Sequence, residues 1–317
     1  MNPPAVEAMP PLSASWASTP LGQLRRLLRD LLRPVAGAGA GLEADLLLMT
    51  VMETGRARLL IGDHRLLTSA QVTRLIVLAQ RRMSGEPMAY ILGRREFWSL
   101  SLKVTEATLI PRPETELLVE IALNAVGPPA AKVADLGTGS GAIALALASE
   151  CPEWRLVATD SSAAALKVAT DNARQLGIDN IEFRLNKAGD KVGSESGSDQ
   201  GFDQGDSWLG ALAGERFDLI VSNPPYVAAG DPCLRNGDTA FEPRGALAAG
   251  ADGLDDLKSL IAGAADCLLP GGRLLLEHGC DQQRAVTALL TAAGWQQIDC
   301  FKDLAGQDRA VMASVGQ

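Results

Sequence analysis

The stretch that decides the fold is KVADLGTGSGAIALALASE, which runs from Lys132 to Glu150. It begins with a short apolar run typical of a buried strand, continues through a glycine-rich turn, and ends in an alanine- and leucine-rich helical segment. Glycines allow the chain to turn tightly and to approach a ligand closely, because they carry no Cβ atom. This order of strand, glycine loop and helix predicts a nucleotide-binding α/β domain with the ligand near the helix amino terminus.

The glycine loop predicts an adenosine-containing cofactor without deciding which one. Gly137, Gly139 and Ala142 match the dinucleotide fingerprint, so a nicotinamide cofactor fits this segment equally well, and a tight turn without a ligand is the other alternative. Asp160 follows the next strand, 23 residues after Gly137, where an acidic side chain can accept hydrogen bonds from ribose hydroxyls. The alternative role of Asp160 is to cap the helix that begins near Ser162.

Strand and helix patterns alternate on both sides of the glycine loop. The short connections predict an α/β fold, a doubly wound parallel sheet of seven strands that ends in an antiparallel pair. The strands are expected at 132–136, 154–159, 181–185, 217–222, 273–276, 296–301 and 310–315. The helices are expected at 114–125, 142–150, 162–176, 254–268 and 283–293. Residues 187–207 are rich in Gly, Ser, Asp and Gln, which predicts a mobile insertion before a short helix at 208–212.

The 317 residues are enough for two domains. Five prolines in residues 1–20 predict a disordered tail, and leucines at 3–4 spacing predict a helical domain over 21–87. A hairpin linker is expected at 88–110, followed by the α/β domain at 111–317. The first 95 residues carry a net charge of +5 and the rest of the chain −14. The basic helical domain is therefore the candidate for substrate recognition, whereas the acidic part is a poor match for nucleic acid.

Several classes of protein are disfavoured by composition. No apolar stretch reaches the roughly 20 residues of a membrane span and no secretory signal pattern opens the chain, so we expect a cytoplasmic protein without membrane contact. Five widely spaced cysteines indicate neither a disulfide framework nor a zinc site. Only two histidines are present, which excludes a chemistry that needs several of them.

The motif Asn223-Pro224-Pro225-Tyr226 follows the fourth strand and indicates the chemistry. Each proline fixes its φ near −65° and lacks an N–H, and a residue that precedes proline is held in an extended conformation. The result is a stiff corner in which the Asn223 Oδ1 and the Pro224 carbonyl can accept hydrogen bonds from one –NH2 group. The Tyr226 ring can cover the planar group that carries this nitrogen. A simple strand-ending turn is the alternative.

Asn-Pro-Pro-Tyr at this position resembles the amino methyltransferases that use S-adenosylmethionine and methylate a nitrogen conjugated to a π system. The resemblance implies a Rossmann-like methyltransferase sheet in which Asp160 binds the cofactor ribose. It also implies that Asn223 lies between the cofactor and the substrate. The residues implied to form the cofactor loop are Gly137, Thr138, Gly139, Ser140 and Gly141.

Further stretches resemble one branch of these enzymes, the protein-(glutamine-N5) methyltransferases that act on the Gly-Gly-Gln glutamine of peptide chain release factors. They are GEPMAY at 85–90, REFW at 95–98, LIPRPETE at 109–116, FEPRGAL at 241–247 with Gly253-Leu254, and LLEHG at 275–279. The resemblance implies methyl transfer to the glutamine side-chain nitrogen, with release factors as partners and no metal. We expect a monomer without direct nucleic-acid contact.

The chain departs from this branch after the third strand. There the branch usually has an acidic residue followed by an aromatic residue near the adenine, whereas Asp206-Ser207-Trp208 has the acid displaced by one position. Asp206 and Ser207 both stay candidates for contact with the adenine amine. Trp208 is the candidate for packing against the adenine, and a core tryptophan on a short helix is the alternative.

Three other functions compete with glutamine methylation. A nucleic-acid adenine-N6 or guanine-N2 methyltransferase shares the Asn-Pro-Pro-Tyr motif, but the acidity of the α/β domain disfavours it. An NAD-linked oxidoreductase shares the glycine loop, but it leaves Asn223 and Tyr226 without a role. A non-catalytic translation-factor adaptor is the third alternative.

Overall fold

A computed structural model of the chain describes residues 14–61, 63–126, 130–186, 208–212 and 214–316. The chain divides into two compact units, with the boundary between Gly93 and Arg94. This boundary falls later than the predicted one after residue 87, because a short helix beyond that position packs Ile91 into the core of the first unit. The predicted insertion at 187–207, which includes Asp206 and Ser207, lies outside the described residues.

The first unit is a set of helices around a leucine-rich core. Its helices are α1 (Leu21–Ala36), α2 (Ala40–Met52), α3 (Arg56–Ile61), α4 (Ser69–Met83) and α5 (Met88–Leu92). The buried leucines of α1 follow the predicted helical period: Leu21, Leu24, Leu28, Leu31 and Leu32. Helix α4 begins with a capping box, in which Thr68 and Gln71 satisfy each other's backbone N–H groups. Periodicity and capping thus explain why this part of the chain is helical.

The predicted disordered tail over residues 1–20 extends too far along the chain. Ala14–Ser18 forms a 3-10 helix, and Trp16, which is 7% exposed, packs into the leucine core. One large aromatic side chain buries enough apolar surface to order a segment that otherwise has the composition of a loop. Residues 1–13 lie outside the described part of the chain.

One segment of the first unit, Leu21–Met52, is long and apolar enough to cross a membrane by length and composition alone. In the structure this segment is not one helix: α1 and α2 are separated by a 3-10 turn at Gly37–Gly39 and pack against each other. The expectation that the chain makes no membrane contact stays a prediction.

The second unit begins with a hairpin and continues into a seven-stranded sheet. The hairpin strands are β1 (Arg94–Phe97) and β2 (Leu100–Lys103). The sheet strands are β3 (Lys132–Leu136), β4 (Arg155–Asp160), β5 (Ile181–Leu185), β6 (Phe217–Ser222), β7 (Leu268–Glu277), β8 (Gln296–Lys302) and β9 (Asp308–Ser314). Their order is β5-β4-β3-β6-β7-β9-β8, and β9 alone runs in the direction opposite to the other six strands. The predicted doubly wound sheet with an antiparallel pair is confirmed.

Among the described residues, five α-helices accompany this sheet. They are α6 (Glu116–Ala125), α7 (Ala142–Glu150), α8 (Ala163–Leu176), α9 (Asp255–Gly263) and α10 (Gln283–Ala292). Helix α7 is buried from Ala142 to Ala148, which agrees with the apolar side chains of these residues. Helix α9 ends earlier than the predicted position 268, because its last turn tightens into a 3-10 helix at Ala264–Cys267 and β7 then starts at Leu268. The connection from β6 to α9 consists of turns and short 3-10 helices and follows the Asn-Pro-Pro-Tyr corner.

Candidate active site

Three of the residues predicted to bind ligands lie in one row at the carboxyl edge of the sheet. The register aligns Leu136 of β3 with Thr159 of β4 and Ser222 of β6, and it aligns Ser222 with Leu276 of β7. The residue after each of these four aligned positions therefore lies in one row: Gly137, Asp160, Asn223 and Glu277. Ligands of doubly wound sheets bind in a crevice outside this edge. The fold brings three predicted residues together and adds Glu277, whose place in the site is not predicted from the sequence.

The loop between β3 and α7 requires its glycines. Gly137, Gly139 and Gly141 have φ values of +72°, +58° and +86°, in the region that favours glycine. A Cβ atom on Gly137 would lie 3.0 Å from the Trp208 ring, and one on Gly141 would lie 2.9 Å from Leu145. Within the described residues, no atom lies within 4 Å of the Cβ position of Gly139. The loop is thus packed on two sides and open at Gly139, where a ligand can approach the backbone.

Thr138 and Ser140 are buried and stabilise the shape of this loop. The Thr138 hydroxyl donates to Asp135 Oδ2 over 2.6 Å, and the backbone N–H of Ala144 donates to the same oxygen over 3.2 Å. The carbonyl of Ser140 accepts a hydrogen bond from Asn172 over 2.9 Å. Asp135 Oδ1 has no hydrogen-bond partner among the described residues, and burial raises the pKa of Asp135 to about 7.

The Asp160 side chain is directed toward the glycine loop. Its Oδ2 accepts from the Gly139 N–H over 2.9 Å, and its Oδ1 accepts from the Ser162 N–H over 2.8 Å. Helix α8 is capped by Ser162, whose hydroxyl accepts from the Ala165 N–H over 3.2 Å. The capping alternative for Asp160 is therefore wrong. A carboxylate can accept about four hydrogen bonds, so Asp160 keeps capacity for ribose hydroxyls.

Trp208 lies beside the glycine loop and also contacts the apolar core. Its ring edge touches Gly137, its Nε1–H donates to Asp256 Oδ1 over 2.9 Å, and the rest of the ring packs on one face of the sheet. The predicted helix at 208–212 is only a 3-10 turn at Gly210–Leu212. Both predicted roles of Trp208 stay compatible with its position, because one edge of the ring reaches the loop while the remainder is core.

The Asn-Pro-Pro-Tyr corner is held from several sides. Pro224 and Pro225 are buried, and Asn223 is half-buried. The Asn223 Nδ2 donates to the hydroxyl of Thr115 over 3.1 Å, which fixes the amide of Asn223 with its nitrogen toward Thr115. In the part of the chain that the structure describes, no group donates a hydrogen bond to Asn223 Oδ1. Asn223 Oδ1 is therefore left as an acceptor oxygen, and its predicted contact with an –NH2 group of a substrate stays a prediction.

Tyr226 is anchored at both ends. Its hydroxyl donates to Glu277 Oε1 over 3.0 Å, and its carbonyl accepts from Gln282 Nε2 over 2.9 Å. Burial and the neighbouring Glu277 carboxylate raise the pKa of the Tyr226 hydroxyl well above its usual value. The sequence predicts a role for the ring alone, whereas the hydroxyl also has a buried partner.

The buried Glu242 carboxylate connects the segment before α6 to the segment that follows the Asn-Pro-Pro-Tyr corner. Glu242 Oε1 accepts from the Ile110 N–H over 3.0 Å, and Glu242 Oε2 accepts from Arg112 over 2.5 Å. Burial raises the pKa of Glu242, and the Arg112 charge opposes this shift. The 109–116 and 241–247 stretches, which are far apart in sequence, thus meet beside the site.

Three residues near the corner were missed as individuals: Thr115, Glu242 and Glu277. Each lies inside one of the stretches that carried the family resemblance, so the resemblance contained the signal without assigning roles. The arrangement as a whole offers two acceptors for an –NH2 group, an open glycine loop, and a carboxylate that can bind hydroxyls. Asn223 is not a base, so this geometry is suited to holding a nitrogen rather than to removing its proton.

Comparison with protein families divides the chain in the same way as the structure. Residues 129–299 match the model of a methyltransferase domain, which is more than half of the chain. Residues 23–93 match the model described as the PrmC N-terminal domain. The second match ends at the boundary between the two compact units.

Relatives similar to this chain cover most of its length. The chain is 46% identical over 85% of its length to a protein of Xylella fastidiosa strain Temecula1 and covers 91% of that protein. It is 44% identical to a protein of Pseudomonas aeruginosa, with 90% of this chain and 96% of the relative covered. A protein of Salmonella typhimurium is 43% identical, with 84% and 89% covered. All three relatives are named release factor glutamine methyltransferase.

A solved structure with the same fold is the catalytic domain of hMettl16 in complex with MAT2A 3′UTR hairpin 6. It superposes with a TM-score of 0.50 over 77% of this chain and 81% of the other, at 16% identity, which supports the fold alone. The sequence identity to the bacterial relatives identifies the family as well as the fold. Together with the methyltransferase and N-terminal domain matches, it shows that the chain belongs to the release factor glutamine methyltransferase family.

Proposed function

We propose that this chain methylates the N5 nitrogen of the glutamine in the Gly-Gly-Gln motif of peptide chain release factors, and that Asn223 and Pro224 bind the target amide. The direction of the Asn223 side chain carries the proposal. Because Nδ2 is bound to Thr115, Oδ1 is left to accept a hydrogen bond from the substrate. No described residue donates to the Pro224 carbonyl either, so two acceptors are free for the two N–H groups of one amide.

The chemistry explains why two fixed acceptors are useful. An amide nitrogen is a poor nucleophile, because its lone pair is delocalised into the carbonyl group. Positive charge develops on this nitrogen as it gains a methyl group, and acceptors fixed in advance stabilise that charge. The Tyr226 ring covers the planar amide, and Pro225 stiffens the turn between them. Asn223 does not take up a proton, so the proton leaves to water after transfer.

The cofactor pocket of this proposal lies at the glycine loop. S-adenosylmethionine supplies an electrophilic methyl group when it is bound. The open space at Gly139 and the remaining acceptor capacity of Asp160 fit an adenosine group, with Asp160 binding the ribose hydroxyls. Trp208 packs against the adenine in this arrangement, and Asn223 lies in the same row at the sheet edge. The remaining residues of the loop, Thr138, Ser140 and Gly141, shape the pocket around the cofactor.

The first unit is proposed to recognise the release factor. It carries the arginine-rich part of the sequence, and the residues predicted to bind the cofactor all lie in the second unit. A basic surface can bind the acidic side chains of a protein or the phosphates of its ribosomal context. This role needs no catalytic residue in the first unit.

A methylation assay with three acceptors tests the function. The enzyme is incubated with S-adenosylmethionine carrying a radiolabelled methyl group and with a purified release factor, its Gln→Ala variant at the Gly-Gly-Gln motif, or ribosomal RNA. We expect label only in the unaltered release factor. Label in the RNA would favour the nucleic-acid alternative, and equal label in the Gln→Ala variant would place the acceptor at another residue.

A further inference from the structure

The backbone of the Asn-Pro-Pro-Tyr corner is not held by the sheet. Strand β6 ends at Ser222, and the next backbone pairing begins at Val227, whose N–H donates to the Leu247 carbonyl over 2.9 Å. In the part of the chain that the structure describes, residues 223–226 make no backbone–backbone hydrogen bond. Two of these four residues are prolines, which have no N–H to donate. The position of the corner therefore depends on contacts with side chains.

The Gln282 side chain makes one of these contacts. Its Nε2 donates to the Tyr226 carbonyl over 2.9 Å and to the Gly253 carbonyl over 3.3 Å. Its Oε1 accepts from the Gly279 N–H over 2.8 Å. A backbone N–H can only donate and a carbonyl can only accept, so this arrangement permits one orientation of the Gln282 amide. The amide thus connects the end of the corner to the turn before α9 and to the turn after β7.

Two glycines enclose the Gln282 amide. A Cβ atom on Gly279 would lie 3.0 Å from Gln282 Oε1. A Cβ atom on Gly253 would lie 2.9 Å from Gln282 Nε2 and would collide with the Tyr226 carbonyl oxygen. Gly253 also has a φ of +74°, in the region that favours glycine. Because the backbone approaches the amide this closely, few positions are open to the Tyr226 carbonyl.

Tyr226 is the residue through which the Gln282 contact reaches the site. Its ring is proposed to cover the target amide, and the stiff Pro225 joins it to the Pro224 carbonyl, one of the two proposed acceptors. The Tyr226 hydroxyl is held separately by Glu277, over 3.0 Å. A displacement of the Tyr226 backbone therefore moves the ring and the nearby acceptor together. Misplacement of a reacting group by about 1 Å can cost roughly 10²-fold in rate.

We infer that Gln282 is a positioning residue for methyl transfer, which fixes the corner by holding the Tyr226 carbonyl. This inference rests on the proposed binding of the target amide at Asn223 and Pro224. Gln282 contacts neither the substrate nor the cofactor in this arrangement. Its loss should therefore lower kcat and leave the Kd for S-adenosylmethionine and the KM for the release factor nearly unchanged.

Two substitutions separate the contact with Tyr226 from the contact with Gly279. Gln282→Met has a similar length but loses all three hydrogen bonds, so we expect kcat to fall about 10-fold, the effect of a lost hydrogen bond. At about pH 8, where glutamate is charged, Gln282→Glu keeps an acceptor for the Gly279 N–H but directs a second oxygen at the Tyr226 carbonyl. Two acceptors repel each other, so kcat of this variant should be lower than that of Gln282→Met. An equal or reversed order would overturn the inference, because the contact with Gly279 would then be the important one.

Gly253→Ala displaces the corner from the opposite side. Its Cβ atom pushes against the Tyr226 carbonyl while the Gln282 side chain keeps its own chemistry, and we expect kcat to fall on the order of 10²-fold. Gly177→Ala is the matched control. Gly177 has a similar φ of +70°, no described atom lies within 4 Å of its Cβ position, and it precedes β5 at the other edge of the sheet. It should carry the same backbone strain and keep kcat. Full kcat of Gly253→Ala would show that the position of the Tyr226 carbonyl does not affect the reaction, which would also overturn the inference.

Calorimetry with S-adenosylmethionine and thermal unfolding accompany each kinetic measurement. A normal Kd and binding stoichiometry show that the folded fraction is unchanged, so that a fall in kcat reports the position of the corner. Loss of cofactor affinity, Tm and kcat together in the Gln282 variants would make the residue structural and overturn the inference. If Asn223→Ala is slow while Gln282→Met keeps full kcat, only the role of Gln282 is wrong. An unaltered enzyme that fails to methylate the release factor would overturn the proposed function and the inference with it.

Discussion

The two units of the molecule differ in how completely their buried polar and charged groups are paired. In the first unit, both oxygens of the buried Asp45 accept from Arg25. The buried guanidinium of Arg82 binds both oxygens of Glu43, at 2.7 and 3.2 Å, and donates to the Glu86 carbonyl. Each of these charges has its partners, as the stability of a buried ion requires.

In the second unit, four buried polar side-chain atoms have no partner among the described residues: Asp135 Oδ1, Asn186 Oδ1, Glu277 Oε2 and His278 Nε2. All four residues lie at or directly after the carboxyl ends of β3, β5 and β7. Within the described part of the chain, no such atom occurs in the first unit. Unpaired polar groups cost stability, so their concentration at one edge of the sheet marks the part of the molecule in which function takes precedence.

The largest effect expected from disturbing this edge is that of Asn223→Ala. Removing one preorganised hydrogen-bond partner costs on the order of 10²–10³ in rate in other enzymes. Because Asn223 is proposed to act mainly as charge develops on the target nitrogen, kcat and kcat/KM should fall together by this factor. Steady-state kinetics with the release factor, together with calorimetry for S-adenosylmethionine, measure both effects. Near-normal kcat would make the corner a structural turn.

Asn223→Asp sharpens this prediction. Aspartate keeps an acceptor oxygen but removes the –NH2 group that binds Thr115, and it adds a negative charge near the cofactor. We expect activity above that of the alanine variant and below that of the unaltered enzyme. Equal activity of the two variants would show that the Oδ1 acceptor is not the important feature of Asn223.

Removing the first unit tests its proposed role in recognising the release factor. A chain that begins at Arg94 keeps the whole second unit and should bind S-adenosylmethionine normally. We expect kcat/KM for the intact release factor to fall on the order of 10²-fold, the scale of losing a few important interface residues. A short Gly-Gly-Gln peptide should be affected less than the intact protein. Full activity on the intact release factor would remove the proposed recognition role.

Asp160→Ala should act mainly on cofactor binding. The loss of hydrogen bonds from a charged acceptor to the ribose is expected to weaken S-adenosylmethionine binding by about 1.5–3 kcal/mol, a roughly 10- to 100-fold higher Kd. Titration calorimetry measures this change. The Tm should also fall, because the Gly139 and Ser162 N–H groups lose the acceptor that Asp160 provides. Ser162→Ala, which removes the cap of α8, is the control that lowers the Tm without a comparable loss of affinity. An unchanged Kd would exclude the ribose role.

The sequence predicted which residues meet at the sheet edge but not what lies behind them. The strand patterns and the two motifs were enough to bring Gly137, Asp160 and Asn223 into one row, because parallel strands end at the same edge. The contacts of Thr115 and Glu277 depend on side-chain packing between elements far apart in the chain, for which no local pattern exists. Their roles toward ligands, like those of the predicted residues, stay predictions.

The ordered segment around Trp16, which was predicted to be disordered, was missed for a similar reason. Composition describes a segment as an average, whereas one tryptophan in a leucine core decides whether the segment is ordered. The start of β7 at Leu268 was missed because Pro270 and two following glycines interrupt its apolar pattern. In each case, tertiary contacts outweighed a local signal.

The smallest expected effect concerns stability rather than rate, and it compares the two units directly. The pKa of Asp135 is about 7 in the folded chain and near 4 in the unfolded chain. Between these values the folded state holds a proton that the unfolded state has lost, so the contribution of Asp135 to stability falls as pH rises from about 4 to 7. Asn at this position does not titrate and can keep one acceptor oxygen for Thr138 and Ala144. We therefore expect the Tm of Asp135→Asn to fall less than that of the unaltered enzyme between pH 5.5 and 8, by a few degrees.

Asp45→Asn is the matched control, because Asp45 is equally buried but fully paired with Arg25. It should lower the Tm at every pH in this range without flattening the profile. If Asp135→Asn and Asp45→Asn gave the same pH profile, the contrast between paired and unpaired buried charge would have no energetic basis.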